Sequence, residues 1–368
     1  MHKNEIQIVT FDNPYPPDFG GAIDVFYKIK ALSDLGVKIY LHIYFDDRHD
    51  ISGLKPLCET INLYKREKSF TQHLSWLPYG VITRDSKNLI KNLNKSEAPI
   101  LFESLRTTGI LRKHAFKQKI AVRCHNLEHD YSWGLFKSEA NWFKKIAFFV
   151  EGFKYKKYEA ILKKAHVLFS LSYYENYYNN NNFKDKSIFI PVFQGNDKIE
   201  SINGFGKYAL YHGDLSISDN IKSALFVINV FKDLNFPLKI ASSTEVKKIV
   251  DEIDKHKNMS FELITDYNQL TLLINEAHIN TLYSYQKSGT KLKVINALFK
   301  GRFCVLNKNM IDDPDVLEIC KVSEGKIEYK KVIENLLDTK FEVTQKRIIA
   351  LQKYNSKKNA EKIIKEMF

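Results

Sequence analysis

The sequence predicts an α/β fold in two halves, and three observations carry that reading. Short apolar runs alternate with helix-period stretches from the first residues onward, and the same alternation restarts near residue 207. A polar, glycine-containing stretch separates the two series. At 368 residues the chain also exceeds the size at which a single core stops growing.

The first half opens with the apolar run "IQIVTF", the loop "DNPYPPDFGG", the helix-period stretch "AIDVFYKIKALSDLG" and the apolar run "KIYLHIYF". Gly36 stands where a glycine ends a helix, so these residues read as a βαβ unit, which implies parallel strands covered by helices. "APILFES", "KIAVRCHN" and "AHVLFSLS" read as further buried strands, with a long helical region from about Trp133 to Lys164 between the last two. "FIPVF" closes the half, and the polar stretch "QGNDKIESINGFG" (194–206) carries a linker at 196–206. After it, "KYALYHG", "PLKIASS", "MSFELIT", "INTLYS" and "RFCVLN" read as strands, and from Thr344 the pattern is one or two lysine-rich helices. The expected organisation is two Rossmann-like domains facing a cleft, at 1–195 and 207–343, followed by a helical segment at 344–368.

Hydrophobic residues make up 44% of the chain and charged ones 27%, with 25 Phe and 20 Tyr, which is enough to build a core and excludes a disordered chain. The net charge of +13 favours anionic partners such as nucleotides or an acidic membrane surface. No base-stacking motif or groove-reading module accompanies that charge, so nucleic acid is not expected. Cys58, Cys124, Cys304 and Cys320 show no metal-ligand spacing and fit a reducing compartment. The N-terminal stretch lacks the apolar core of a signal peptide, and no apolar run reaches the roughly 20 residues of a membrane span. A soluble, cytoplasmic chain is expected, at most resting on the inner face of a membrane.

Four stretches hold candidate chemistry. Gly20 and Gly21 sit where a loop hands over to a helix, which suits either a tight turn or an anion held on free N–H groups. In "RCHNLEHDYS", Arg123, His125, Glu128 and His129 crowd the end of a predicted strand, the edge at which open α/β sheets bind ligands. In "SYQKSGTKLKVINALFKG", helical spacing puts Lys293, Asn296 and Lys300 on one face and Leu292, Ile295, Leu298 and Phe299 on the other. This is either a solvated lysine face or an anion site. Between Lys137 and Lys164, eight lysines face three glutamates, and Trp142, Ile146, Phe149 and Phe153 recur at helical spacing. Such a stripe is either core or a surface that lies on anionic lipid. The chain has no P-loop, HExxH or EF-hand pattern and no Ser-His-Asp order.

Together these segments resemble the GT-B glycosyltransferases of the retaining family 4 type, over nearly the whole chain. "PYPPDFGG" is similar to that family's glycine loop, "CHNLEHDYS" to its acceptor-side histidine region, and "LYHGDLSISDN" to the start of its nucleotide-binding domain. "HINTLYSYQKSGTKLKVINALFKGRFCVLN" resembles its donor-site helix and the strand after it. The wording "HGDLS", "AHIN" and "ALFKGRF" is most like a branch found among Bacteroidetes-type bacteria.

The resemblance implies transfer of a sugar from a nucleotide-diphosphate sugar to a hydroxyl of a glycan or lipid-linked acceptor, with no metal and no bound cofactor. Lys291, Lys293 and the N–H groups near Gly289 and Thr290 would hold the diphosphate, Gly20 and Gly21 would close over the donor phosphate or the acceptor, and Gly213 would lie on the donor side. Asn296 would hold the ribose and Ser288 would lie near the donor sugar. His125 would contact the transferred sugar, with Arg123 and Glu128 on the acceptor side. Ser288 and Asn296 stand where the family places its pair of glutamates, and Asp214 follows Gly213 where a basic residue is usual. Those departures also suit a non-catalytic GT-B-like subunit that binds glycan or nucleotide and supports a partner enzyme.

Overall fold

The structure is a computed structural model that describes residues 4–287 and 291–368. The chain divides into two compact units. The first holds Met1–Trp133, Ile146–Gly195 and Tyr354–Phe368, and the second holds Gly134–Lys145 and Asn196–Lys353.

The first unit is built on strands β1 (Glu5–Thr10), β2 (Lys38–Phe45), β3 (Thr60–Lys65), β4 (Ile100–Glu103), β5 (Ile120–Cys124), β6 (Val167–Ser170) and β7 (Ser187–Phe189). They pair in the order β3-β2-β1-β4-β5-β6-β7, all parallel. A parallel sheet is covered on both faces, which is why β4, β5 and β6 are buried at every position. β3 lies at the sheet edge, is exposed or half-buried except at Tyr64, and offers no continuous apolar run, so it is not legible as a strand from sequence. On one face Ile6, Ile8, Ile29, Leu32 and Ile39 form a core that also takes in Ala360, Ile363 and Met367 of the C-terminal helix Ser356–Met367.

The second unit carries β8 (Ala209–His212), β9 (Leu238–Ser242), β10 (Met259–Leu263), β11 (Ile279–Leu282), β12 (Phe303–Leu306) and β13 (Lys321–Val322). Their order is β10-β9-β8-β11-β12-β13, again all parallel. Both sheets therefore reverse strand order beside their first strand, between β1 and β4 and between β8 and β11.

The long helical region is not continuous. It forms Glu128–Ser138 and Trp142–Tyr158, because Glu139 Oε1 accepts from the N–H groups of Ala140 and Asn141 and Asn141 Oδ1 then caps the next helix at Lys144. The stripe Trp142, Ile146, Phe149 and Phe153 is exposed rather than core. Gly152, Tyr155 and Tyr158 form the buried side of that helix, where a Cβ on Gly152 would lie 2.1 Å from Trp133 Nε1. All four cysteines are free. Among the described residues no helix is long and apolar enough to cross a membrane.

Candidate functional site

Open parallel sheets bind ligands outside the carboxyl ends of their strands, where strand order reverses. In the first unit β4 ends there on Glu103, β5 delivers Arg123 and leads into His125, and the helix Gly20–Asp34 contributes Asp24 and Lys28 one turn apart.

Arg123 is fully buried. Its Nε and Nη2 donate to Asp24 at 3.2 and 2.9 Å, and Nη1 and Nη2 donate to the carbonyls of Ile190 and Pro191 at 2.7 and 3.0 Å. Lys28 Nζ donates to Asp24 at 3.0 Å and to both oxygens of Glu103 at 2.7 and 2.8 Å. His125 Nε2 lies 2.9 Å from Glu103 Oε2. Burial alone would raise the Asp24 carboxyl, but Arg123, Lys28 and His125 outweigh it and hold it well below the usual range. Burial opposes Glu103 in the same way, and Lys28 and His125 bring it down. Two buried carboxylates thus face two buried cations.

Ligating atoms of Asp24, Glu103 and His125 come within 4.8 Å of one another. All four carboxylate oxygens already accept from Lys28, Arg123 or His125, so the group fits a closed ion-pair network better than a seat for a divalent cation.

The His125 ring meets Phe11 edge-on at 5.2 Å. Gly21 makes that contact possible, since a Cβ there would lie 2.6 Å from Phe11 Cζ. Gly20 begins the helix behind Phe19, which supplies no side-chain cap, and no acidic residue occupies the first turn. Arg84 Nε donates to the Phe11 carbonyl at 2.7 Å, and burial, with Arg66 and Arg106 adding to it, pushes Arg84 down to about 9. Glu128 is buried, accepting from Ser104 Oγ at 3.1 Å and from Nε and Nη2 of Arg106 at 3.1 and 2.8 Å. Its oxygens are occupied by this pairing.

In the second unit, β8 ends on His212, followed by Gly213, at the reversal between β8 and β11. Lys293, in the helix Leu292–Lys300, donates to Asn220 Oδ1 at 3.3 Å and lies 5.1 Å from the centroid of the Tyr211 ring. Asn220, on the helix Ser218–Phe231, packs on Gly213, where a Cβ would lie 3.3 Å from its Cγ. Lys293 thus has an uncharged hydrogen-bond acceptor there, Asn220. Burial pushes its ammonium down to about 8, with Asp219 opposing and Lys291 assisting. His212 is buried and lowered to about 3 by burial and then by Lys293, and its Nε2 has no partner among the described residues.

Lys291 is the extended residue that precedes the Leu292–Lys300 helix. Asn296 is buried and accepts from Asn196 Nδ2 at 3.0 Å. Ser288, Gly289 and Thr290 lie outside the described residues. The structure therefore groups Arg123, His125, Gly21 and Glu128 in one unit and Gly213, Lys293 and Asn296 in the other, with Glu128 paired to Arg106 and the Asn296 Oδ1 accepting from Asn196. Asp24, Lys28, Glu103, His212 and Asn220 were missed by sequence reasoning. Only Asp24 and Lys28 left a trace, as an i,i+4 charge pair inside an otherwise apolar helix face.

No family model matches the chain. It is 25% identical over 330 residues, 82% of each chain, to an uncharacterized 44.6 kDa protein in the cps region of Klebsiella pneumoniae. Among solved structures, an α,α-trehalose-phosphate synthase (UDP-forming) from Burkholderia xenovorans, in complex with glucose-6-phosphate, superposes with a TM-score of 0.64 at 9% identity, over 99% of both chains. TarM superposes with a TM-score of 0.62 at 13% identity, over 100% of this chain and 96% of its own. With two parallel-sheet Rossmann-like domains, the chain has the fold of the GT-B glycosyltransferases.

Proposed function

We propose that this chain transfers a glycosyl group from a nucleotide-diphosphate sugar to a hydroxyl of a glycan or lipid-linked acceptor, in the synthesis of envelope polysaccharide or glycoconjugate. The observation that carries the proposal is Lys293. It is a partly buried cation with a depressed pKa, set at a strand-order reversal beside Gly213, with an uncharged partner in Asn220. Such a cation gains most from an anion that arrives with the ligand. The fold supports transferase chemistry, and the relative in a cps region supports the polysaccharide context.

In this reading the second unit binds the donor and the first unit the acceptor. The bond from the sugar's anomeric carbon to the phosphate oxygen breaks as the bond to the acceptor oxygen forms. In the retaining course, the departing phosphate oxygen takes the acceptor's proton, so no dedicated base is needed. Lys293 and Lys291 stabilise the charge that builds on the diphosphate, and His125, oriented by Glu103, hydrogen-bonds the transferred sugar. No metal is required where fixed cations neutralise the leaving group.

The experiment is to incubate the protein with a panel of nucleotide sugars and extracted glycan or lipid-linked acceptors, and to measure release of free nucleoside diphosphate. Acceptor-dependent release from one donor, abolished in Lys293→Ala, is expected. Binding of a nucleoside diphosphate without release from any donor would favour the non-catalytic subunit, for which the engagement of Asn296 by Asn196 is the supporting observation.

A further inference from the structure

The helix Trp142–Tyr158 turns Ile146, Val150 and Phe153 outward, and the neighbouring 3-10 turn Phe70–Leu74 and the residues after it expose Phe70, Leu74 and Trp76 by 83%, 80% and 88%. These residues belong to one unit and the two segments are tied together. Lys154 Nζ donates to the His73 carbonyl at 3.0 Å, and Glu151 Oε2 accepts from the Tyr79 N–H at 2.9 Å. Exposed apolar side chains this large and this concentrated mark an interaction surface, since scattered ones would need no explanation.

On the helix the charges beside the patch are mostly positive: Lys157 is exposed, while Lys154 and Lys156 pair with Glu151 and Glu159. At about 100° per residue, Phe153, Ile146 and Val150 fall within an arc of about 60°, and Lys157 falls in the same arc. The helix carries five lysines and one acidic residue, Glu151, which is turned inward to the Tyr79 N–H. On the neighbouring segment, exposed Glu67 and Lys68 precede Phe70, and Lys68 pairs with Asp46, so the positive border is supplied by the helix.

We propose that this face docks on an anionic lipid bilayer, with its aromatic and aliphatic side chains entering the boundary between headgroups and acyl chains and its lysines meeting the lipid charge. Aromatic rings with a lysine border fit that boundary. A second copy of the chain fits less well, because a two-fold contact sets the same patch against itself and would bring like-charged lysines together. The inference goes beyond the glycosyl-transfer reading and its test needs no sugar.

The test is co-sedimentation with vesicles of phosphatidylglycerol and phosphatidylcholine, against vesicles of phosphatidylcholine alone. The proteins are the wild type, Lys157→Glu and the triple variant Leu74→Ser, Trp76→Ser, Phe153→Ser, with melting temperatures compared to confirm folding. Wild type is expected to pellet with the anionic vesicles and far less with the neutral ones. The triple variant should lose roughly tenfold or more in partitioning, and Lys157→Glu should weaken binding to the anionic vesicles only. Equal pelleting of wild type and the triple variant, or no pelleting with anionic vesicles, overturns the proposal. A wild-type dimer in buffer that the triple variant converts to monomer also overturns it, by assigning the face to a second copy.

Discussion

Lys28 and Arg123 are cations buried without access to water, and Asp24 and Glu103 keep them there. Removing one charge from such a group strands the others, so Asp24→Asn should cost about 3–5 kcal/mol in urea denaturation. Both carboxyls are depressed in the folded state. Their stabilisation is therefore complete above the unfolded carboxyl pKa of about 4 and is lost as the pH falls through the folded values. Stability should decline in acid, and Asp24→Asn should flatten that decline. None of this was legible in the sequence. Lys28 with Asp24 shows only as an i,i+4 pair on a mostly apolar helix face, and the partners that close the network, Glu103 and Arg123, come from strands far along the chain. What was legible was the cluster after "RCH", because the end of a parallel strand is where function is expected.

Lys293 makes a second residue-scale prediction. Its protonated form attracts a diphosphate, and in the free protein that proton leaves as the pH rises through about 8. Affinity for a nucleoside diphosphate should therefore fall above that pH, with net proton uptake on binding. Titration calorimetry in buffers of different ionisation enthalpy measures both.

At the scale of elements, the helix Leu292–Lys300 holds Lys293 only if its far end is secured. Arg347 secures it. Nε donates to Leu298 O at 2.8 Å, Nη1 to Arg302 O at 2.9 Å, and Nη2 to Gly301 O at 2.8 Å, all buried. A guanidinium at a helix C-terminus satisfies the last carbonyls and complements the dipole. Arg347→Met should destabilise the second unit by about 2–4 kcal/mol, by leaving buried carbonyls unpaired, and thermal denaturation checks it. The apolar side of this helix was legible from its period. Its cap was not, because Arg347 belongs to a separate helix, Gln345–Leu351. The stripe on Trp142–Tyr158 shows the opposite limit. Spacing identified the face, but a stripe that packs and one that waits for a partner share the same period.

At the scale of the whole molecule, the same reversal of strand order occurs in both units, and it places His125 in one and Gly213 with Lys293 in the other at equivalent edges. The alternation of strands and helices made the two halves readable. The return of the C-terminal helix to the core of the first unit was not readable, because an amphipathic helix does not name the face it covers. Ile363→Ala should cost about 2–5 kcal/mol and lower the stability of the first unit, leaving the melting of the second unchanged. Limited proteolysis with fragment identification separates the two.

If Lys293 seats a nucleotide diphosphate, titration calorimetry of nucleoside diphosphates against wild type and Lys293→Ala shows it. One nucleoside diphosphate should bind wild type, and the substitution should weaken it by roughly ten- to a hundredfold, the worth of a charge-assisted contact, with the melting temperature unchanged. Equal affinity in the two proteins, or no binding by wild type at millimolar nucleotide, would contradict it.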